Sequence, residues 1–329
     1  MRIQRILSLG LLAILPSCSP AWTAKTWTAK TRPPRDGAAG VVVESVMPQS
    51  TGATAGLQPG DVILSWSGGS SGTIRFPYDL LPLEIEESTQ RAVTLKGKRG
   101  NEEMLWTLAA ADWGIEARPS LPSDLSDLYL EGKAGVEAGD LAAAERSWRS
   151  AAESARTSGD GRLATWFLDR LAGVLAKAGK WPEADAAYQE ALTGLERETE
   201  HPAAAALLRR WGDTFQDRGA WDAAVEHYQK ALELDRRGAP KSLGAARTLA
   251  ALGTTEAKRS HYAAAEELLR QALAIREELA PGTTEVAKSL NLLGILARRR
   301  GDLTAAEEYL VRSEELQRRL APGSLDHGR

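Results

Sequence analysis

The stretch "AAEELLRQALAIREEL", residues 264–279, decides the fold together with "VAKSLNLLG" at 286–294. The break between them reads "APGTTE". The first segment sets Ala265, Leu269 and Ala272 on one helical face, four and three residues apart. The second ends on Gly294, a small residue of the kind that lets two helices cross closely. Working outward, the same grammar returns at fixed phase. Gly132, Ala172, Gly212, Gly253 and Gly294 are spaced by 40, 40, 41 and 41 residues. Twelve residues after each stands an alanine: Ala144, Ala184, Ala224, Ala265 and Ala306. Four further on comes a bulky residue (Trp148, Tyr188, Tyr228, Leu269, Leu310), and three beyond that a small one (Ala151, Ala191, Ala231, Ala272, Ser313). Turn signals fall between, at Gly139-Asp140, Gly179-Lys180, Gly219-Ala220, Ser260-His261 and Gly301-Asp302. Five copies of one helix–turn–helix unit follow, each unable to bury its apolar face alone and therefore stacked on its neighbours.

This grammar resembles the tetratricopeptide repeat, and the two quoted segments resemble its kinesin-light-chain variety. The period exceeds the usual one, with Pro202, Pro240, Pro281 and Pro322 marking longer exits. The first repeat departs most, with Glu131 where the others carry Leu or Trp. The resemblance implies capture of extended peptides or partner domains on a concave face lined by the first helix of each pair. It places Trp166, Asp169, Arg209, Asp213, Arg247, Lys288, Asn291 and Arg298 on that face. The C-terminal half of this set is basic, so an acidic or carboxylate-bearing partner is expected there. The alternative is a solvated charged face.

Upstream, "GVVVESVMPQSTGATAGLQPGDVILSWSG" (40–68) reads as a β-branched strand, Val41–Val46, a short helical turn within 47–55, a Pro-Gly turn at 57–61 and a second strand at 62–66. "AGLQPGDVIL" resembles the diagnostic run of a bacterial PDZ domain. "YDLLPLEIEE" (78–87) then corresponds to its second helix, and 92–108 to a closing hairpin turning at Arg99-Gly100-Asn101. The resemblance implies capture of a peptide, often a chain's C-terminus, as an added strand. Val41, Val42 and Val43 would be the docking strand, and the loop Gly37, Ala38, Ala39, Gly40 would hold the carboxylate with its N–H groups. A degenerate module that only packs on its neighbour is the other reading.

"GGSSG" (68–72) fits the spacing of a serine-hydrolase elbow, but that motif needs a strand–turn–helix setting with histidine and acid partners. Here it is a glycine-serine loop in a small β-domain. No catalytic group, metal-ligand spacing, phosphate loop or cofactor motif is recognised, so the chain is expected not to be an enzyme, with no small-molecule substrate.

Of 329 residues, 41 are Lys or Arg and 44 Asp or Glu, for a formal net charge of −3. The distribution is uneven: residues 1–40 hold six basic residues and one acid, so the remainder is acidic, which argues against nucleic acid. "MRIQR" followed by the apolar "ILSLGLLAIL" reads as an export signal, too short to span a bilayer. "LPSC" resembles a lipoprotein lipobox, with Cys18, the single cysteine, as the lipidation site and Pro16 as a departure. Cleavage near Ala21 without lipidation, or a retained anchor or misassigned start, are the alternatives.

The expected organisation is a signal peptide at 1–17, a flexible tether at 18–37 with a duplicated "WTAKT", and a PDZ domain at 38–113. A linker at 114–123, five repeats at 124–321 and a tail at 322–329 follow. The fold class is α+β, mostly α: a small barrel-like β-domain and then an all-α solenoid. The tail "LAPGSLDHGR" repeats "LAPGTTEVAK" and reads as the opening of an interrupted sixth repeat, leaving the last full repeat with exposed apolar surface. The order of modules resembles the front of bacterial proteins that continue into a caspase-like CHAT peptidase. Function is therefore expected to be that of an exported adaptor or scaffold at the bacterial cell envelope, binding protein or peptide partners. Its alternatives are the regulatory front of a split or truncated CHAT peptidase, and an envelope assembly or quality-control factor.

Overall fold

A computed structural model describes residues 40–195 and 202–320. The signal, the tether, Cys18, Gly37–Ala39 and the tail lie outside the described residues.

The N-terminal unit is an antiparallel sheet of six strands: β1 (Val41–Val46), β2 (Val62–Ser67), β3 (Ser71–Thr73), β4 (Val93–Arg99), β5 (Glu102–Leu108) and β6 (Ile115–Pro119). The spatial order is β5-β4-β2-β1-β6, with β3 paired to β2. Alternation turns Val41, Val43, Ile63, Val93, Leu95, Trp106 and Leu108 into one core. Gly97 lets β4 pass under β2, since a Cβ there would sit 1.9 Å from the Val62 carbonyl oxygen. The "LQPGD" turn is held by Asp61, buried at 1% exposure. Its carboxylate accepts from the Gln58 N–H at 2.8 Å and from Arg99 through two nitrogens, each at 2.8 Å.

The expected first helix contracts to α1 (Thr51–Thr54), capped by the Ser50 hydroxyl, which accepts from the Ala53 N–H at 3.2 Å. The expected second helix is a helical run over 77–90. It is built from a tight turn Pro77–Asp79, α2 (Leu80–Pro82), a wide turn Leu83–Glu87 and α3 (Ser88–Gln90). The GGSSG segment enters β3, whose Gly72 stands opposite Trp66, so it is a hairpin and not an elbow. The expected linker 114–123 is corrected: residues 115–119 form β6, and only 120–122 separate it from the first array helix.

The array comprises five hairpins. They are α4 (Ser123–Glu137) with α5 (Leu141–Thr157), α6 (Gly161–Lys177) with α7 (Trp181–Leu195), α8 (Pro202–Asp217) with α9 (Trp221–Gly238), α10 (Leu243–Lys258) with α11 (Tyr262–Leu279), and α12 (Thr284–Arg299) with α13 (Leu303–Leu320). The small-to-bulky grammar is the crossing itself. A Cβ on Gly132 would lie 2.1 Å from Trp148 Nε1, and one on Gly212 would lie 2.6 Å from Tyr228 Cε1. Asp140, Asp160 and Ser242 cap their helices with side-chain oxygens.

The outer side of the last hairpin is mixed rather than simply apolar. Glu314 stands where the earlier repeats carry Leu192, Leu232 and Leu273, while Leu303, Val311 and Leu320 are exposed.

Candidate functional site

The described residues hold no group of His, Cys, Asp or Glu suited to a metal. They also hold no helix long and apolar enough to cross a membrane. The surfaces that bear on function are the sheet edge and the inner face of the array.

The edge expected to take a peptide strand is filled. β1 pairs with β2 on one side through Val41 and Val42 and with β6 on the other, where Val41 opposes Pro119, Val42 opposes Arg118 and Val43 opposes Ala117. Gly40, buried with φ +112°, gives its carbonyl to the Ser120 N–H at 3.0 Å. The docking role of Val41–Val43 is therefore corrected: the chain supplies the added strand itself. The signal was Ile115–Pro119, a short run whose single Pro suits an edge strand.

The inner face is likewise occupied in large part by the sheet unit. Asp79 accepts from the N–H groups of Arg75 and Phe76, each at 2.9 Å, starting the run 77–90, and its other oxygen takes Arg162 of α6 at 2.7 Å. Tyr78 donates its hydroxyl to Asp169 at 3.4 Å, and Asp169 also accepts from Arg210 of α8 in bidentate fashion. Glu84 pairs with Arg247 of α10, with Asp112 at 3.8 Å from the same guanidinium. Ile85 packs with Leu243 and Ala280. On the strand side, Glu44 takes Arg170 at 2.7 Å and the Tyr129 hydroxyl. Phe76 and Tyr78 join the array's own apolar core, with Tyr129, Trp148, Trp166 and Phe167.

These contacts place the eight residues expected on the concave face. Trp166 is buried, edge-on to Phe167 at 5.1 Å and tilted on Tyr129 at 5.6 Å. Asp169 and Arg247 face inward as expected, but toward the sheet unit. Arg209 turns into the array, to Asp235 at 3.3 Å and Thr248 at 3.1 Å. Asp213 accepts from the Tyr228 hydroxyl of its own hairpin at 2.6 Å. Lys288 pairs with Glu285 at 2.7 Å, and Asn291 and Arg298 are exposed. An open ligand groove along repeats two to four is thus corrected. Of the basic residues in the expected set, only Lys288 and Arg298, both on α12, are exposed. Arg162, Arg170 and Arg210 were missed, although the repeat phase puts Arg170 and Arg210 one position after Asp169 and Arg209.

The electrostatics follow burial. Desolvation pushes the Tyr78 hydroxyl well above its ordinary range, and the Asp169 carboxylate adds to the shift. Burial depresses Arg209 despite Asp235. In Arg247 burial acts the same way, but Glu84 and Asp112 outweigh it and hold the guanidinium charged. Burial raises the Glu86 carboxyl, and Glu87 and Asp235 raise it further.

Residues 162–237 and 202–278 match one tetratricopeptide-repeat family model, and residues 286–324 match another. Among solved structures the array is similar to BtubC (BKLC) from P. vanneervenii, at 22% identity and a TM-score of 0.53, covering 60% of this chain and 80% of that one. It is similar to the nearly identical TPR-like repeats of a Podosopora anserina protein named as a kinesin light chain, at 17% identity and a TM-score of 0.50, covering 62% and 99%. RapI in its apo form is also similar, at 16% identity and a TM-score of 0.52, covering 59% and 70%. A comparison with curated proteins gives no match. The chain is thus an antiparallel sheet unit followed by a tetratricopeptide-repeat solenoid, a class of protein-binding scaffold.

Proposed function

We propose that the chain is a non-enzymatic, exported adaptor that gathers protein partners on the inner face of its repeats. The observation that carries this reading is the contact the molecule makes with itself: Asp79 and Glu44 meet Arg162 and Arg170 on α6, and Glu84 meets Arg247 on α10. That face binds a folded protein segment through matched charges and buried aromatics. Where the sheet unit stops, Lys288, Asn291 and Arg298 share one face of α12 and are exposed. This surface suits an acidic segment of a partner. The PDZ relationship of the sheet unit belongs to the same proposal, as a packing module without an open strand edge at β1. The leader supports export, with Cys18 as the lipid anchor.

The test is titration of the full chain with a fluorescent glutamate-rich peptide. Lys288→Glu with Arg298→Glu should weaken binding at least ten-fold, and raised salt should do the same. Equal affinity for both chains would sink the acidic-partner reading.

A further inference from the structure

The helical run 77–90 is not anchored evenly. At its start, Phe76 and Tyr78 enter an aromatic core with Tyr129, Trp148 and Trp166, close to the three-residue connection 120–122. At its far end the run meets the array through the Glu84–Arg247 pair and through Ile85, which is buried in a small cluster with Leu243 of α10 and Ala280 just after α11, apart from the aromatic core. Gly244 lies beneath Ile85, where a Cβ would come within 3.1 Å of its Cδ1. The backbone of the run is irregular here, passing through a wide turn at Leu83–Glu87. Like charges gather at the same end, where Glu86 feels both its neighbour Glu87 and Asp235. Leu80 and Leu83 bind the run to the sheet's own core, so run and sheet move together. The seats at α10 are specific: a guanidinium for a carboxylate, and beside it a small apolar socket for a branched aliphatic side chain.

We propose that the run 77–90 is a built-in occupant of the array, and that the α10 seats also accept an outside helix of the same make-up, a carboxylate followed directly by a branched aliphatic residue, by exchange with Glu84 and Ile85. The sheet unit then swings away from α10 while the aromatic end stays packed. Exchange is rare in the intact chain, because a tethered occupant competes at a far higher effective concentration than a free one. The apparent affinity for an outside helix is reduced by the fraction of molecules that are open. The inference rests on the adaptor reading only for its biological use. Its test uses the chain's own segment as the probe, so failure here leaves the α12 surface and the adaptor reading standing.

The probe is a synthetic peptide with the sequence of residues 74–91, titrated against the full chain and its variants. Glu84→Lys removes the cis carboxylate and leaves Arg247 in place. This variant should bind the peptide at least ten-fold tighter than the original chain and show faster hydrogen exchange across 77–90. A peptide carrying lysine at position 84 should lose that gain, and so should Arg247→Glu in the variant chain. If Glu84→Lys does not fold, Ile85→Ser empties the other seat and serves the same purpose. Equal peptide binding by the original chain and the opened variants, or variants whose exchange and binding both stay unchanged, overturns the proposal.

Discussion

Glu84 and Arg247 stand 163 positions apart and pair across the boundary between sheet and array. Both are largely withdrawn from water, with side-chain exposures of 13% and 23%. The Glu84 carboxylate also accepts from the Trp113 N–H at 3.1 Å, so one group ties the helical run, the 109–114 loop and α10 together. Reversing either charge leaves its partner buried and opposed. Glu84→Lys or Arg247→Glu should each cost about 3 kcal/mol, the lower edge of the range for a broken buried pair, because both groups keep some solvent. The double reversal should recover most of this loss but not all, since a lysine cannot accept from the Trp113 N–H. Denaturant unfolding of the four chains measures the coupling. Simple addition of the two single losses would show that the pair carries no interaction.

The helix crossings predict an order among alanine substitutions. Gly132→Ala drives a Cβ to 2.1 Å from the buried Trp148 ring, which is held by its own donation to the Tyr129 carbonyl at 3.2 Å. Gly294→Ala meets Leu310 at 2.7 Å, a flexible and only partly buried side chain. Gly132→Ala should therefore lower the melting temperature clearly more than Gly294→Ala, with a cost of about 1–3 kcal/mol for overpacking at the tryptophan. Calorimetry showing the reverse order would contradict the packing described.

Ser260 is a substitution the repeat invites. Its φ is +66°, in the turn where Gly139, Gly179, Gly219 and Gly301 stand at +74° to +81°. A side chain in this region is disfavoured, and its neighbours show what the turn prefers. Ser260→Gly should stabilise the chain by about 0.5–1 kcal/mol, seen as a higher denaturant midpoint at unchanged slope.

Four tyrosines predict an alkaline transition. Burial raises Tyr78, Tyr129, Tyr188 and Tyr228 above the ordinary value of 10.0; nearby carboxylates, Asp169 for Tyr78 and Asp213 for Tyr228, add to it. A raised acid is better protonated in the folded state than in the unfolded chain. Its contribution is fully present below about pH 10, declines as the unfolded tyrosines ionise, and is lost as pH climbs through the folded values. Circular dichroism between pH 8 and 12 should show helix loss beginning near 10. Tyr228→Phe should make the decline shallower; an unchanged profile would remove this tyrosine from the account.

The array was legible because its information is local and repeated. Gly212, Ala224, Tyr228 and Ala231 are one crossing, and four more copies fix the phase. The hairpin expected at 92–108 was legible through the family resemblance of its stretch, turning at Arg99-Gly100-Asn101, and its strands run over 93–99 and 102–108. β6 was not, because Ile115–Pro119 is short and ends in Pro, and its pairing with β1 is a contact across seventy residues. The eight inner-face residues were placed by the resemblance to the repeat, which states where a side chain points but not what stands opposite.

The sequence alone determined the helix–turn–helix repeat and the strand-rich unit before it, since spacing along one chain dictates both. Only the tertiary structure decided that Trp166, Asp169 and Arg247 are already engaged by Tyr129, Tyr78 and Glu84. The first match depends on how neighbouring hairpins stack, and the other two on how a sheet and a superhelix fit in three dimensions. No periodicity within either one encodes the distance between them.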